Sequence, residues 1–206
     1  MTRYFGRSIL FGALILGSPS LSSLAQAQTV EVPPVPTNIQ VDAGYSPYLK
    51  GLAIGTQNFI CVAPKKEKEM AWKFTGPQAT LFLTLDGEPW QQVTTHFLSA
   101  NPGESGSLRP TWQHSVDTSA VWGRVKASSS DPDYVASGAI PWLLLEVAGA
   151  QLGPMGGNVL TEARFIHRVN TTGGLMPSEG CSELVDIGTI KLVPYTAEYF
   201  FYRADQ

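Results

Sequence analysis

The stretch ATLFLTLDGEPWQQVTTHFL (residues 79–98) predicts two antiparallel strands joined by a tight turn. Its first half is a run of apolar and β-branched residues, and QQVTTHFL at 91–98 supplies a partner strand. Asp86 and Gly87 stand between the two runs, and an Asp-Gly pair favours the backbone geometry of a two-residue hairpin turn. We therefore expect a β-hairpin here.

Outside this hairpin, short strand-like runs alternate with turn residues. The chain of 206 residues contains 20 Gly and 15 Pro, and these interrupt any long segment with a helical period of 3.6 residues. Further strand-like runs lie at 55–63, 70–75, 120–128, 158–170 and 193–204. The pattern predicts a mainly β, single-domain β-sandwich or squat β-barrel with long loops and at most one or two short helices.

Two segments are the best helix candidates, and two others are expected to be surface loops. The helix candidates are IPWLLLEVAGA (140–150), where Pro141 suits a first helical position, and TEARFIHRV (161–169). The segments SANPGESGSLRP (99–110) and SSSDPDYVASG (128–138) are rich in Gly, Pro and Ser. They are expected to be flexible surface excursions.

The first residues predict export. Arg3 and Arg7 precede the apolar run ILFGALIL (9–16), and Ala-Gln-Ala at 25–27 is a small-x-small cleavage site. The apolar run is shorter than the roughly 20 residues of a membrane-spanning helix, and no later segment is apolar enough to span a bilayer. We expect a signal peptide at 1–27, an extended Pro-rich lead-in at 28–40 and a single β-rich domain at 41–206. The protein is then periplasmic or extracellular.

The charge balance argues against nucleic acid as a partner. Without Arg3 and Arg7, 12 of the 14 basic residues remain against 17 acidic residues, which leaves a net charge of −5. Nucleic-acid binding requires a basic face that neutralises phosphates. The one Lys cluster that stands out, KKEKE at 65–69, is nearly self-neutral.

Cys61 and Cys181 are the only cysteines. Two cysteines of an exported chain usually pair in an oxidising compartment, so a disulfide is predicted. Buried thiols or a metal site are the alternatives, but the wide spacing and the absence of a CxxC motif give zinc little support. The stretch HRVNTTGGLMPSEGC (167–181) leads into Cys181, and its loop would then act as a clasp held by the disulfide. A sharper hypothesis is that this clasp loop forms one wall of a pocket with His167 at the rim.

Several blocks carry a family resemblance. The segments GTQNFICVA (55–63), GPQATL (76–81), PTWQHSVDTSAVWG (110–123), IPWLLL (140–145), RVNTTGG (168–174) and MPSEGC (176–181) occur in this order. They resemble the secreted family called domain of unknown function 3455, over about residues 30–204. The resemblance implies export and a single domain, and it implies no activity and no catalytic or binding residue.

The three histidines are the main candidates for site chemistry. His96, His114 and His167 are not arranged as HxH or HExxH, and each alone is more typical of a structural histidine. If they converge with Asp117 or Glu146, they would form a metal or acid–base site. The sequence implies no particular metal or cofactor, and no GxSxG or P-loop motif is present.

Five tryptophans, at 72, 90, 112, 122 and 142, offer a second kind of site. Most are expected to fill a β core, but exposed Trp rings also bind flat or apolar ligands. Trp112 is the expected exception, because it lies between Pro110 and a polar turn.

These features support three hypotheses of function. The first is non-enzymatic binding of a small molecule, glycan or envelope partner through His96, Trp112, His114, Asp117 and His167. The second is an exported metal-assisted or acid–base enzyme that uses the histidines with Asp117 or Glu146. The third is a purely structural envelope or coat protein.

Overall fold

The computed structural model describes Met1, residues 30–63 and residues 70–205. The predicted signal peptide, apart from Met1, lies outside the described residues. Within the described part of the chain no helix is long and apolar enough to cross a membrane.

In the part of the chain that the structure describes, eight antiparallel strands form a closed barrel. Each strand pairs with the next in sequence, and β1 pairs with β8 to close the wall. The strands are β1 (Tyr45–Val62), β2 (Ala71–Leu85), β3 (Glu88–Asn101), β4 (Ser107–His114), β5 (Ala120–Ser129), β6 (Trp142–Gln151), β7 (Phe165–Gly173) and β8 (Ile190–Ala204). The mainly β prediction is confirmed, and the barrel, rather than the sandwich, is the architecture observed.

The hairpin predicted at 79–98 is confirmed as β2 and β3. Leu85 pairs with Glu88 across the turn. Asp86 and Gly87 have φ angles of 53° and 86°, as a two-residue turn with left-handed backbone requires.

Neither helix candidate forms an α-helix. Residues 142–151 form β6, and residues 165–173 form β7. In β6, Leu145 packs in the barrel interior while Leu144 packs in a second cluster on the outer face. Because both faces are buried, the strand lacks the alternation of polar and apolar residues that usually distinguishes a strand from a helix.

Residues 30–63 and 70–205 contain four short 3₁₀ turns, rather than the one or two short helices expected. They are Thr37–Ile39, Pro102–Glu104, Val159–Glu162 and Leu184–Asp186. The first forms just after Pro36, within the Pro-rich lead-in.

Residues 99–110 are not the flexible loop that was expected. Strands β3 and β4 continue through most of this segment, with Ser99 opposite Arg109 and Asn101 opposite Ser107. The Glu104 carboxylate accepts hydrogen bonds of 2.8 and 2.9 Å from Arg109, and the Asn101 side chain accepts one of 3.0 Å from the Gly103 N–H. These contacts specify the turn.

Three apolar clusters organise the described residues. The largest fills the barrel and contains residues of seven strands, among them Trp112, Leu145, Ile166 and Tyr199. A second covers the outer face of β6–β8, where the fully buried Ile39 of the lead-in packs. The third surrounds the Cys61–Cys181 disulfide. The disulfide prediction is therefore confirmed, and the Cα atoms of the two cysteines are 5.5 Å apart.

Candidate functional site

A cavity of about 140 Å³ lies within the barrel. All eight strands contribute to its lining, which consists of Gln57, Phe74, Pro77, His96, Pro110, Trp112, Val125, Leu143, Leu145, Arg168 and Tyr199. Trp112 and Tyr199 are each 1% exposed, whereas Phe74 is 43% and Val125 is 51% exposed. The cavity therefore leads from the core to the surface.

A gap in the pairing of β4 with β5 lies beside the cavity. These strands pair only from Thr111–Trp122 to Gln113–Ala120. Pro110, which has no backbone N–H to donate, stands where the pairing ends. Val125 of β5 lines the cavity on the other side of this gap.

Three larger grooves, of about 200, 310 and 560 Å³, also occur on the described structure. None of the three is lined by a residue that has a buried polar side-chain atom without a hydrogen-bond partner. The barrel cavity is lined by several such residues, so its chemistry, rather than its size, marks it as the candidate site.

An aromatic stack forms the buried part of the cavity. His96 of β3 and Trp112 of β4 are directly paired in register, so their side chains share the inner face. Their rings are parallel within 9°, with centroids 4.2 Å apart, and the Tyr199 ring lies edge-on at 5.2 Å from His96.

The position of the His96 proton follows from its hydrogen bond. Nδ1 lies 2.9 Å from the carbonyl oxygen of Thr111, so Nδ1 donates and Nε2 keeps its lone pair. Burial lowers the pKa of His96 to about 3; the Arg168 charge acts in the same direction, and the bond to Thr111 opposes both. His96 is therefore a neutral ring at pH 7.

Arg168 brings a positive charge into the cavity. It lies on β7 opposite Leu143 and Tyr199, and so faces inward. Its Nη2 donates a 2.8 Å hydrogen bond to the carbonyl of Pro141. No ion pair found among the described residues includes Arg168.

The cavity region also contains an excess of hydrogen-bond donors. Four groups that line the cavity are buried without a hydrogen-bond partner within the described chain, namely Gln57 Nε2, Trp112 Nε1, Arg168 Nε and the Tyr199 hydroxyl. The Tyr195 hydroxyl is also unpartnered; it is not part of the lining and lies beside Gln57 and Tyr199. Burial raises the pKa of both tyrosines, which keeps their hydroxyls protonated at pH 7. An unsatisfied buried donor costs about 1–3 kcal/mol, so this set favours a group rich in acceptors.

The start of the clasp loop packs behind these donors. Gly174 has a φ of 79°, and a β-carbon placed there would lie 3.0 Å from Gln57 Cγ and 3.0 Å from Tyr195 Cβ. Glycine is required at this position both for the backbone geometry and for the close approach.

The structure brings His114 and Asp117 together, but outside the cavity. His114 Nδ1 lies 2.9 Å from Asp117 Oδ1, in the turn between β4 and β5. Burial disfavours the Asp117 carboxylate, but hydrogen bonds from the Val159 N–H and from Ser119 outweigh this and lower its pKa to about 2. Asp117 thus joins the turn to the 3₁₀ turn at Val159–Glu162.

His167 lies on the opposite side of the barrel wall. It pairs with Phe200 in register, packs beneath the lead-in and is 1% exposed. Its Nε2 donates to the Ile39 carbonyl at 2.6 Å, and its Nδ1 accepts from the Tyr202 hydroxyl at 2.9 Å. It does not stand at the rim of the cavity.

The three histidines therefore do not converge on one site with Asp117 or Glu146 in the described structure. Glu146 instead pairs with Arg124 at 2.7 Å. Among the described residues, no three His, Cys, Asp or Glu side chains are grouped so that they could hold a metal ion. The reason is the strand period: His96 faces inward and His167 faces outward.

The expectation for the tryptophans is partly wrong. Trp72, Trp112, Trp122 and Trp142 are buried, as a β core requires. Trp112, the expected exception, is among the most buried of them, and Trp90 is the exposed ring, at 64%.

Four residues that bring unpartnered polar groups to the site or beside it were missed from the sequence, namely Gln57, Arg168, Tyr195 and Tyr199. Arg168 left a detectable signal, because it follows Ile166 by two positions and so occupies an inward position of an apolar strand. The other three are recognisable only once the barrel is closed.

Comparison with known proteins identifies a family without an assigned activity. No curated protein and no solved structure matches the sequence. One family model, described as "Protein of unknown function (DUF3455)", matches residues 42–203, nearly all of the barrel. With the resemblance in its sequence blocks confirmed in this way, the chain belongs to the DUF3455 family.

Proposed function

We propose that the protein is an exported, non-enzymatic barrel that binds a small organic molecule in the cavity between Trp112 and Arg168. The observation that carries this proposal is the cluster of unpartnered donors at an apolar cavity that reaches the surface. Such a combination of apolar walls and a few convergent polar groups is typical of ligand sites.

The size of the cavity favours a small molecule over a glycan chain or a protein partner. Its volume of about 140 Å³ is close to that of the roughly 150 Å³ engineered cavity that holds benzene. Export is supported by the signal-like N-terminal sequence and by the disulfide, which is compatible with an oxidising compartment.

A blocking variant tests this proposal. We expect Val125→Trp to fill the half-exposed mouth and to abolish binding of any small molecule that raises the thermal stability of the wild type. The matched control is Ile190→Trp, on the outward face of β8, where the native side chain is 63% exposed. The ligand panel should contain anionic, neutral and cationic compounds of one ring or less. Binding that survives Val125→Trp unchanged, or no binding across the panel, would refute the proposal.

A further inference from the structure

We infer that the ligand of this cavity is a small monocarboxylate with a flat or compact apolar body, held through its carboxylate by Arg168. This inference rests on the proposed small-molecule function and names the ligand class. Arg168 lines the cavity, and its positive charge has no acidic partner in the ion pairs of the described chain.

The donors around Arg168 fit an anion. Arg168 Nε, Trp112 Nε1 and Gln57 Nε2 can only donate, and all three are buried without a hydrogen-bonded acceptor. The Tyr199 hydroxyl also lines the cavity and is a fourth donor. A carboxylate supplies about four lone-pair sites in one compact group, so it can satisfy several of these donors at once.

The charge of the site favours a single negative charge. Arg168 is the only cationic side chain that lines the cavity, because the other lining residues are neutral, including His96 with its lowered pKa. A phosphate dianion would bring a second charge without a counterion, and burying an unpaired charge is costly. A carboxylate matches the guanidinium charge one to one.

The remaining walls define the body of the ligand. Val125, Leu143 and Leu145 are aliphatic, and the stacked His96 and Trp112 rings present flat surfaces. With about 140 Å³ available, the cavity suits one six-membered ring or a short branched chain. Benzoate, cyclohexanecarboxylate and isovalerate are therefore suitable probes.

The test compares benzoate with benzamide, which has the same ring and volume but no charge, by calorimetric titration of the full-length oxidised protein. We expect the wild type to prefer benzoate by about tenfold or more, the factor that a charge-assisted hydrogen bond contributes. Arg168→Gln should remove this preference, and Arg168→Lys should retain part of it. Arg203→Gln, in a surface ion pair with Glu162, is the matched control.

The outcomes separate the two proposals. If benzamide binds as tightly as benzoate and Val125→Trp abolishes both, the cavity binds small molecules but the carboxylate inference is overturned. If none of the three carboxylates binds the wild type while a neutral or cationic ring does, the inference is again overturned and the broader function stands. The comparison of benzoate with benzamide on the wild type tests the carboxylate inference even if an Arg168 variant fails to fold.

Discussion

Acidification from neutral pH to about pH 5 should destabilise the barrel through His96. The ring is buried, donates from Nδ1 to the Thr111 carbonyl and stacks on Trp112. Its pKa is about 3 in the folded protein, against an ordinary value of 6.5. The unfolded chain therefore takes up a proton between pH 6.5 and pH 3 that the folded protein does not.

The direction and magnitude of this loss of stability follow from proton linkage. Because the unfolded state binds more protons in this window, the free energy of unfolding falls as the pH falls. A pH of about 5 lies about 1.5 units below the pKa of the histidine in the unfolded chain. The free energy of unfolding is then about 2 kcal/mol smaller than at neutral pH.

His96→Asn isolates this contribution. The asparagine amide can still donate to the Thr111 carbonyl, but it does not titrate. We expect urea unfolding, with the disulfide intact, to show a pH dependence for the variant that is about 2 kcal/mol smaller than for the wild type between neutral pH and about pH 5.

Trp112→Phe is the control, because it disturbs the same aromatic stack and keeps the histidine. It should lower the stability at both pH values while retaining the wild-type pH dependence. Equal pH dependence in the wild type and His96→Asn would refute the reasoning, since it would mean that His96 binds its proton equally well in both states.

Three further predictions concern the scaffold. Asp117→Asn should lower the free energy of unfolding by about 1–2 kcal/mol at pH 7, after allowance for solvent screening. Because the pKa of Asp117 is lowered to about 2, the wild type should lose this extra stability as the pH falls from about 4 towards 2. Chemical unfolding at several pH values tests this, and a stability difference that stays constant with pH would contradict it. Replacing Cys61 and Cys181 by alanine removes a disulfide between residues 120 positions apart and should lower the free energy of unfolding by about 5 kcal/mol. Thiol titration of the unfolded, unreduced wild type should find no free thiol. Gly174→Ala should destabilise the protein more than Gly138→Ala. Both glycines have a φ of 79°, but only at Gly174 would an added β-carbon have neighbouring atoms within 4 Å. Equal decreases in the thermal unfolding temperature would contradict this.

The features that could be predicted from the sequence are those that depend on neighbouring residues or on simple pairing. The turn at Asp86 and Gly87 is a local property of two residues. The disulfide follows because Cys61 and Cys181 have no other cysteine with which to pair.

The choice between helix and strand for β6 could not be made from the sequence, because its burial has two separate causes. Leu145 is covered by the barrel interior, and Leu144 is covered by a cluster that includes Ile39, about 100 positions earlier in the chain. A local window sees only a continuous apolar run, which is compatible with a buried helix or a buried strand.

The candidate site was only partly predictable for a similar reason. His96 and Trp112 were identified as candidates, but their stacking depends on the register of β3 against β4. Gln57, Arg168 and Tyr199 come from three strands and meet only when the barrel closes. The choice between barrel and sandwich likewise depends on the pairing of β1 with β8, which no local pattern specifies.

The pairing of the first strand with the last also sets the order of events in folding. β1 and β8 are matched from Tyr45–Ala204 to Ile60–Ile190, so the final seam joins residues 130 to 159 positions apart. Every other seam joins strands that are consecutive in sequence and can form as each hairpin becomes available. A chain synthesised from its N-terminus therefore cannot complete the wall until its last strand has emerged, and contacts of such long sequence separation make folding slow. Until then β1 keeps an open edge, which is the surface most prone to pairing with another chain.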